Sequence, residues 1–314
     1  MANALLFPGQ GSQEVGMGKE MMDAFPIAKE TLQEVCDAID FDLIKLMHHG
    51  PEEELTRTIN AQPAIMACSM AVMRVMEKEV GFDVAKGAAC AAGHSLGEYS
   101  ALTAAGALSL ADTAKLLRIR GFSMQQAVPE GQGAMAAILG LTYDQVMEIV
   151  KAAAIGGDVC EVANDNCEGQ VVISGSVEGI NMALEIAQSR RARKSVLLPV
   201  SAPFHCSLMK PAAETMEKAL KSVKFSAPAV PIVSNVTAKS ETKPDEFPKL
   251  LVEQITGTVR WRECMEYVTS RSIKTTIEIG HGNVLSGLMK RIDKDAEILR
   301  VNKPEDLDEF AKAV

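Results

Sequence analysis

The stretch Gly87-Ala88-Ala89-Cys90-Ala91-Ala92-Gly93 limits what this chain can fold into more than any other segment. A run of small apolar residues with no polar alternation reads as a strand buried on both faces, which belongs in a parallel sheet with helices on each side. Directly after it, Gly93-His94-Ser95-Leu96-Gly97 matches G-x-S-x-G, followed by a helix from Leu96 into Ala105. Glycines let the backbone turn sharply there, so that the serine hydroxyl projects at the sheet end and the next N–H lies at a helix N-terminus. Ser95 is therefore a candidate nucleophile; the alternative is an ordinary glycine-flanked turn.

A short buried strand, Ala4–Phe7, opens the chain and breaks at Pro8-Gly9-Gln10-Gly11. Helical spacing predicts helices over Lys19–Ile39, Pro63–Val80 and, capped by Ser109, a stripe of Leu110, Ala114, Leu117, Gly121 and Met124. Pro129-Glu130-Gly131-Gln132-Gly133 reads as a hinge. Beyond it come a strand at Ala134–Leu139, a helix at Tyr143–Ala154 and strands at Val159–Ala163 and Gln170–Ser174. A helix at Val177–Ser189 and a strand at Lys194–Leu198 follow. That β-α-β-β-α-β order is the ferredoxin-like pattern. The predicted architecture is α/β: a larger α/β-hydrolase-like domain with a mostly parallel sheet (1–130 and 199–314) and an inserted ferredoxin-like small domain (131–198). Helices at Ser207–Ser222, Glu246–Ile255 and Arg260–Ser270 and strands at Pro231–Ser234 and Thr276–Ile279 complete the reading.

Composition excludes several classes. With 32 basic and 41 acidic residues, a net charge of −9 and one Trp, the chain is a poor binder of nucleic acid or of an anionic membrane. The longest apolar run, Pro63–Met73, is well short of the ~18 residues of a membrane span. The first residues carry no basic region before their apolar stretch, so no signal peptide is expected. Seven cysteines without C-x-x-C spacing argue against a disulfide framework or a zinc ribbon, and reduced thiols point to the cytoplasm. The five histidines form no H-E-x-x-H pattern, so no metal is expected.

A serine nucleophile needs a base. His205, after the loop Pro199–Phe204, and His281, after the strand at Ile277–Ile279, are the two candidates; a loop histidine held by hydrogen bonds is the alternative for either. His94 should leave the turn in another direction, and His48 and His49 read as solvated. No Asp declares itself as a third member, so a backbone carbonyl could orient the histidine. Gly9-Gln10-Gly11 lacks the third glycine of a nucleotide loop, Glu14 standing in its place. The N–H groups of Gln10 and Leu96 would suit an oxyanion hole, against a tight surface turn. Arg120, on the margin of its helix's apolar stripe, either snorkels or binds a carboxylate, and Arg118 reads as solvated. Arg190-Arg191-Ala192-Arg193-Lys194 is either a solvated helix end or a docking patch for an acidic partner.

Together, Phe7-Pro8-Gly9-Gln10-Gly11-Ser12-Gln13, Gly93-His94-Ser95-Leu96-Gly97-Glu98-Tyr99 and Pro203-Phe204-His205-Cys206 resemble the malonyl-CoA:acyl carrier protein transacylases of fatty acid synthesis and the related polyketide acyltransferase domains. The resemblance covers essentially the whole chain. It implies malonyl transfer from malonyl-CoA to acyl carrier protein through a malonyl-serine intermediate, with Ser95 and His205 catalytic and Gln10 and Leu96 forming the oxyanion hole. It also implies a substrate site of Arg120, Gln254, His94, Met124, Phe204 and Asn166. Arg120 would pair with the malonyl carboxylate, the Gln254 carbonyl would orient the histidine, and Phe204 would leave little room for an α-methyl group. No cofactor is implied, since the substrates carry the phosphopantetheine, and the chain is expected to be a monomer. It departs from the family pattern at His281, where proline is common, and in Asn164–Gln170, where the family's loop proline is missing. A serine hydrolase and a non-catalytic carrier-binding scaffold are the competing readings.

Overall fold

The structure, a computed structural model, describes residues 3–200, 202–273 and 275–313. Met1 and Ala2, which bear on the reading of the N-terminus, and Ser201, in the loop before His205, lie outside these residues. In chain order the described strands are β1 (Asn3–Phe7), β2 (Ala88–Gly93), β3 (Gly133–Leu139), β4 (Cys160–Cys167) and β5 (Gln170–Ser176). Then follow β6 (Lys194–Leu197), β7 (Ile232–Val233), β8 (Ser240–Glu241), β9 (Thr275–Ile279) and β10 (Glu297–Val301).

Six of them form a sheet in the order β10-β9-β1-β2-β7-β8, parallel throughout except for the β7–β8 pair. Side chains alternate between its faces, as a strand period of two requires. Leu5 and Phe7 enter one apolar cluster, and Ala4 and Leu6 enter another on the opposite face. The alanines of β2 allow close cover: the helix Gly97–Ala104 packs on both β1 and β2. A Cβ at Gly93 would lie 1.9 Å from the backbone of Gly97, and one at Gly97 would lie 2.3 Å from the Phe7 carbonyl oxygen. Only glycine fits at either place.

The second sheet has the order β4-β5-β3-β6, every neighbouring pair antiparallel, as a ferredoxin-like unit requires. Its helices, Tyr143–Ala153 and Val177–Ser189, share a core with Ala136, Ile138, Val171 and Ile173. Residues of opposite parity, Met135 and Val172, belong to the core of the larger sheet. β4 runs four residues past its expected end, and the extension ties the two sheets together. Asp165 N–H donates to Val259 O, Val259 N–H to Ala163 O, and the buried Asp165 carboxylate accepts from Arg262 at 2.8 Å.

Several predicted elements change at prolines. The helix expected over Lys19–Ile39 is two, Lys19–Ala24 and Pro26–Ile39, because Phe25 before Pro26 is extended. The helix expected from Pro63 begins at Thr58 with Pro63 inside it, and after Val75 it gives way to a π-turn at Met76–Val80. Proline has no N–H to give Ile59 O. Arg118 fills that gap, donating to Ile59 O at 3.2 Å with its guanidinium 4.5 Å from the Phe41 ring centroid. Arg118 is thus a half-buried helix-to-helix tie and not the solvated residue its helix position suggests. His48 is also half-buried, with Nε2 lacking a partner, whereas His49 is exposed as expected.

Candidate active site

The turn between β2 and the helix Gly97–Ala104 places Ser95 at φ 54°, in the left-handed region that non-glycine residues avoid. Buried hydrogen bonds hold it there. Ser95 N–H donates to Asn235 Oδ1 at 2.8 Å, and Asn235 Nδ2 donates to Gly93 O at 2.8 Å, so one side chain grips both ends of the turn. Gln254 Nε2 donates to Ser95 O at 3.0 Å.

His205, also at positive φ (58°), brings Nε2 to 2.7 Å from Ser95 Oγ. Its Nδ1 lies 2.8 Å from the Gln254 carbonyl oxygen, which can only accept. Nδ1 therefore carries the proton, and Nε2 presents a lone pair to the serine hydroxyl. Burial, then the nearby Arg120 charge, push the imidazole pKa down to about 3, so it is neutral at physiological pH.

Arg120 is 1% exposed. Nη1 donates to Gln62 Oε1 at 2.8 Å; Nη2 donates to Gln254 Oε1 at 2.8 Å and to Ser95 Oγ at 3.1 Å; Nε has no partner. Every hydrogen-bond acceptor it has among the described residues is neutral. A buried cation in that state is stabilised strongly by an arriving anion. Ser95 Oγ thus stands between a base that can take its proton and a cation beside it.

These groups open on a cavity of about 290 Å³ lined by Gln10, Leu96, Met124 and Phe204 among others. The N–H groups of Gln10 and Leu96 meet no acceptor among the described residues and remain available. His94 lines the cavity too, but its Nε2 pairs with Asn166 Oδ1 at 2.9 Å and not with Ser95. Asn166 itself is set back, and Asn164 of the same strand lines the space. His281 lies elsewhere, with Nε2 3.3 Å from Glu14, so the choice between the two histidines resolves geometrically to His205. In the basic cluster Arg190 is ion-paired with Glu148, and Lys194 starts β6 opposite Leu139, at the end of β3 away from cavity-lining Met135. Sequence reasoning missed Gln62, Asn235 and the role of Glu98. Glu98 alone left a signal, a charge one residue into a helix that must pack against two strands.

A serine with a neutral histidine and a cation on its oxygen, facing two unpaired N–H groups across one cavity, has what acyl transfer by way of a serine ester requires. The sequence model of the family described as "Acyl transferase domain" matches residues 4–310. A Bacillus subtilis protein named malonyl CoA-acyl carrier protein transacylase is 42% identical over 305 residues, 97% of this chain and 95% of its own. The crystal structure of an acyl-carrier-protein-S-malonyltransferase from Bartonella henselae superposes with a TM-score of 0.97 at 49% identity, covering 100% of this chain and 99% of that one. A malonyl-transacylase in complex with its type II PKS acyl-carrier protein gives a TM-score of 0.96 at 39% identity, with 100% of each chain covered. The chain belongs to the acyl transferase family, in its malonyl CoA-acyl carrier protein transacylase branch. It is an enzyme, with the mixed α/β fold of that family. Among the described residues no helix is long and apolar enough to cross a membrane, and no group of three or more His, Cys, Asp or Glu is placed to hold a metal.

Proposed function

We propose that this enzyme transfers malonyl from malonyl-CoA to the phosphopantetheine thiol of acyl carrier protein through a malonyl ester on Ser95. Ser95 Oγ attacks the thioester carbonyl as its proton passes to His205 Nε2. The carbonyl oxygen becomes an oxyanion facing the N–H groups of Gln10 and Leu96. When it collapses, the C–S bond breaks and His205 returns the proton to the departing CoA sulfur. In the second half the carrier's thiol gives its proton to His205 and attacks the ester, and Ser95 leaves with that proton restored. CoA departs before the carrier reacts, a ping-pong order. The carrier as partner is supported by the related complex. Seven unpaired cysteines suit a reducing compartment, and we place the reaction in the cytoplasm.

Arg120 chooses the acyl group. A carboxylate entering the cavity supplies the anionic partner that the guanidinium lacks. A charge-assisted hydrogen bond contributes about 1.5–3 kcal/mol, which converts to roughly a 10- to 100-fold preference for malonyl over acetyl. Phe204, buried beside His205, leaves little space at the α-carbon and favours malonyl over methylmalonyl. The observation that carries the reading is the meeting of His205 Nε2 and Arg120 Nη2 on one serine oxygen. The test is intact-mass analysis after mixing with malonyl-CoA, with and without carrier protein. A malonyl adduct on Ser95 that persists alone and passes to the carrier supports the transfer. Rapid release of malonate without an acceptor would indicate a hydrolase, and carrier binding without acylation a scaffold.

A further inference from the structure

Behind the Ser95 turn stands a carboxylate that takes no part in the transfer just described. Glu98, on the first turn of the helix Gly97–Ala104, is 1% exposed. Its Oε2 accepts the Asn235 N–H at 3.1 Å and Gln254 Nε2–H at 2.7 Å. The first donor belongs to the residue that grips both ends of the turn. The second is one end of a primary amide whose other end, Oε1, accepts from Arg120 Nη2 at 2.8 Å. We infer that Glu98 is a positioning residue: it fixes which way the Gln254 amide points, and thereby aims the Arg120 guanidinium that selects a carboxylate-bearing acyl group.

The two ends of an amide have nearly the same shape and opposite hydrogen-bonding character. Flipped, Gln254 would turn its carbonyl oxygen toward the Glu98 oxygen and its NH2 toward the N–H of Arg120, acceptor against acceptor and donor against donor. The oxygen at position 98, the nearest acceptor of Nε2, opposes that arrangement together with the Ser95 carbonyl oxygen at 3.0 Å. Without the Glu98 oxygen one of the two Nε2 hydrogens is left buried with no acceptor as close, the amide is held on that side chiefly by Ser95 O, and the oxygen it offers Arg120 is less firmly fixed. Burial pushes the Glu98 carboxyl up to about 7, yet an oxygen lone pair faces Gln254 whether or not a proton sits on the group's other oxygen. An amide at this position supplies the same acceptor. Glu278, equally buried, contrasts with it: its oxygens accept the N–H groups of Leu285 and Ser286 at the start of the helix Val284–Ile292, and among the described residues neither donor is hydrogen-bonded to the Ser95 turn.

The inference rests on the proposed pairing of Arg120 with malonyl. Wild type, Glu98→Leu, Glu98→Asp, Glu98→Gln and Arg120→Ala are each given malonyl-CoA and acetyl-CoA in competition, and the two Ser95 adducts are counted by intact mass. The adduct ratio is read on whatever fraction is folded, so a poorly folding variant still reports. Glu98→Leu, which has no acceptor, and Glu98→Asp, one methylene too short, should lower the malonyl-to-acetyl ratio about tenfold through a raised KM for malonyl-CoA. Glu98→Gln should restore the ratio to within about twofold of wild type. An unchanged ratio in Glu98→Leu and Glu98→Asp, both adducts falling together, overturns the inference, as does a loss in Glu98→Gln equal to that in Glu98→Leu. Arg120→Ala separates the two levels: if it keeps the wild-type ratio, the pairing of Arg120 with malonyl fails and takes the role of Glu98 with it.

Discussion

The two sheets furnish the cavity in different ways. From the larger sheet and its helices come groups fixed by buried hydrogen bonds: Ser95 held by Asn235, His205 by a carbonyl, Arg120 by two glutamines. The smaller sheet and the loop leaving it supply mostly an apolar wall, Met135, Leu198 and Val200, with Asn164 as their polar member. On the proposed mechanism the first side sets charge and proton position, with Phe204 its contribution to size, and the second sets shape alone. Substitutions on the first side should change what reaction occurs and for which charge. Those on the second should change only what size is admitted.

The most severe way to test that division is Ser95→Ala, which should lower acylation by at least about a thousandfold and remove the covalent adduct. An adduct that survives on this variant would move the nucleophile elsewhere. Arg120→Ala should come next, cutting malonyl transfer roughly 10- to 100-fold relative to acetyl transfer. Equal losses with both donors would erase the distinction between charge-selecting and shape-selecting walls. Arg262→Ala acts on the tie between the sheets. It leaves the Asp165 carboxylate buried without its cation and should lower stability by about 2–3 kcal/mol, read as a fall in Tm, with a smaller effect on Ser95 acylation. Leu198→Ala, on the shape side, should leave malonyl kcat within a few-fold while raising relative turnover of α-methylated donors about tenfold. A loss of malonyl-over-acetyl preference there would show that the wall also handles charge. The smallest effect is an absence. An unperturbed imidazole half-titrates near pH 6.5, but with His205 held at about 3 the acylation rate should stay flat from neutral through pH 6. A fall centred on 6.5 would mean that the base is more hydrated than the geometry allows.

The sequence made visible whatever depends on neighbours along the chain. The G-x-S-x-G turn was legible because steric need at Gly93 and Gly97 leaves no other residue possible. The small sheet was legible because its alternating apolar positions and its turns are local. The short helices Leu43–His49 and Glu52–Thr56 escaped because neither is long enough to show a stripe. The extension of β4 escaped because Asn164-Asp165-Asn166 is polar by composition: it pairs with β5 in an irregular register, and its other edge and its buried carboxylate are satisfied by Val259 and Arg262, about a hundred residues away. Gln62 and Asn235 carry no local signal, since their partners lie 58 and 140 positions distant. The resemblance filled part of that gap by naming Gln254, and its motif contains Glu98, but it gave that carboxylate no role.

A proline inside the helix Thr58–Val75 has a reach that its local geometry hides. By withholding an N–H from Ile59 O, Pro63 opens a socket, and Arg118 plugs it. At the same crossing Gly121 has no room for a side chain, since a Cβ there would lie 2.5 Å from the Thr58 oxygen. Peg and flat spot together index one helix against the other. The residue lying between them in sequence, Arg120, is thereby delivered opposite Gln62. The place from which the cation reaches the serine is thus set some distance away, by a residue usually counted as a flaw in a helix.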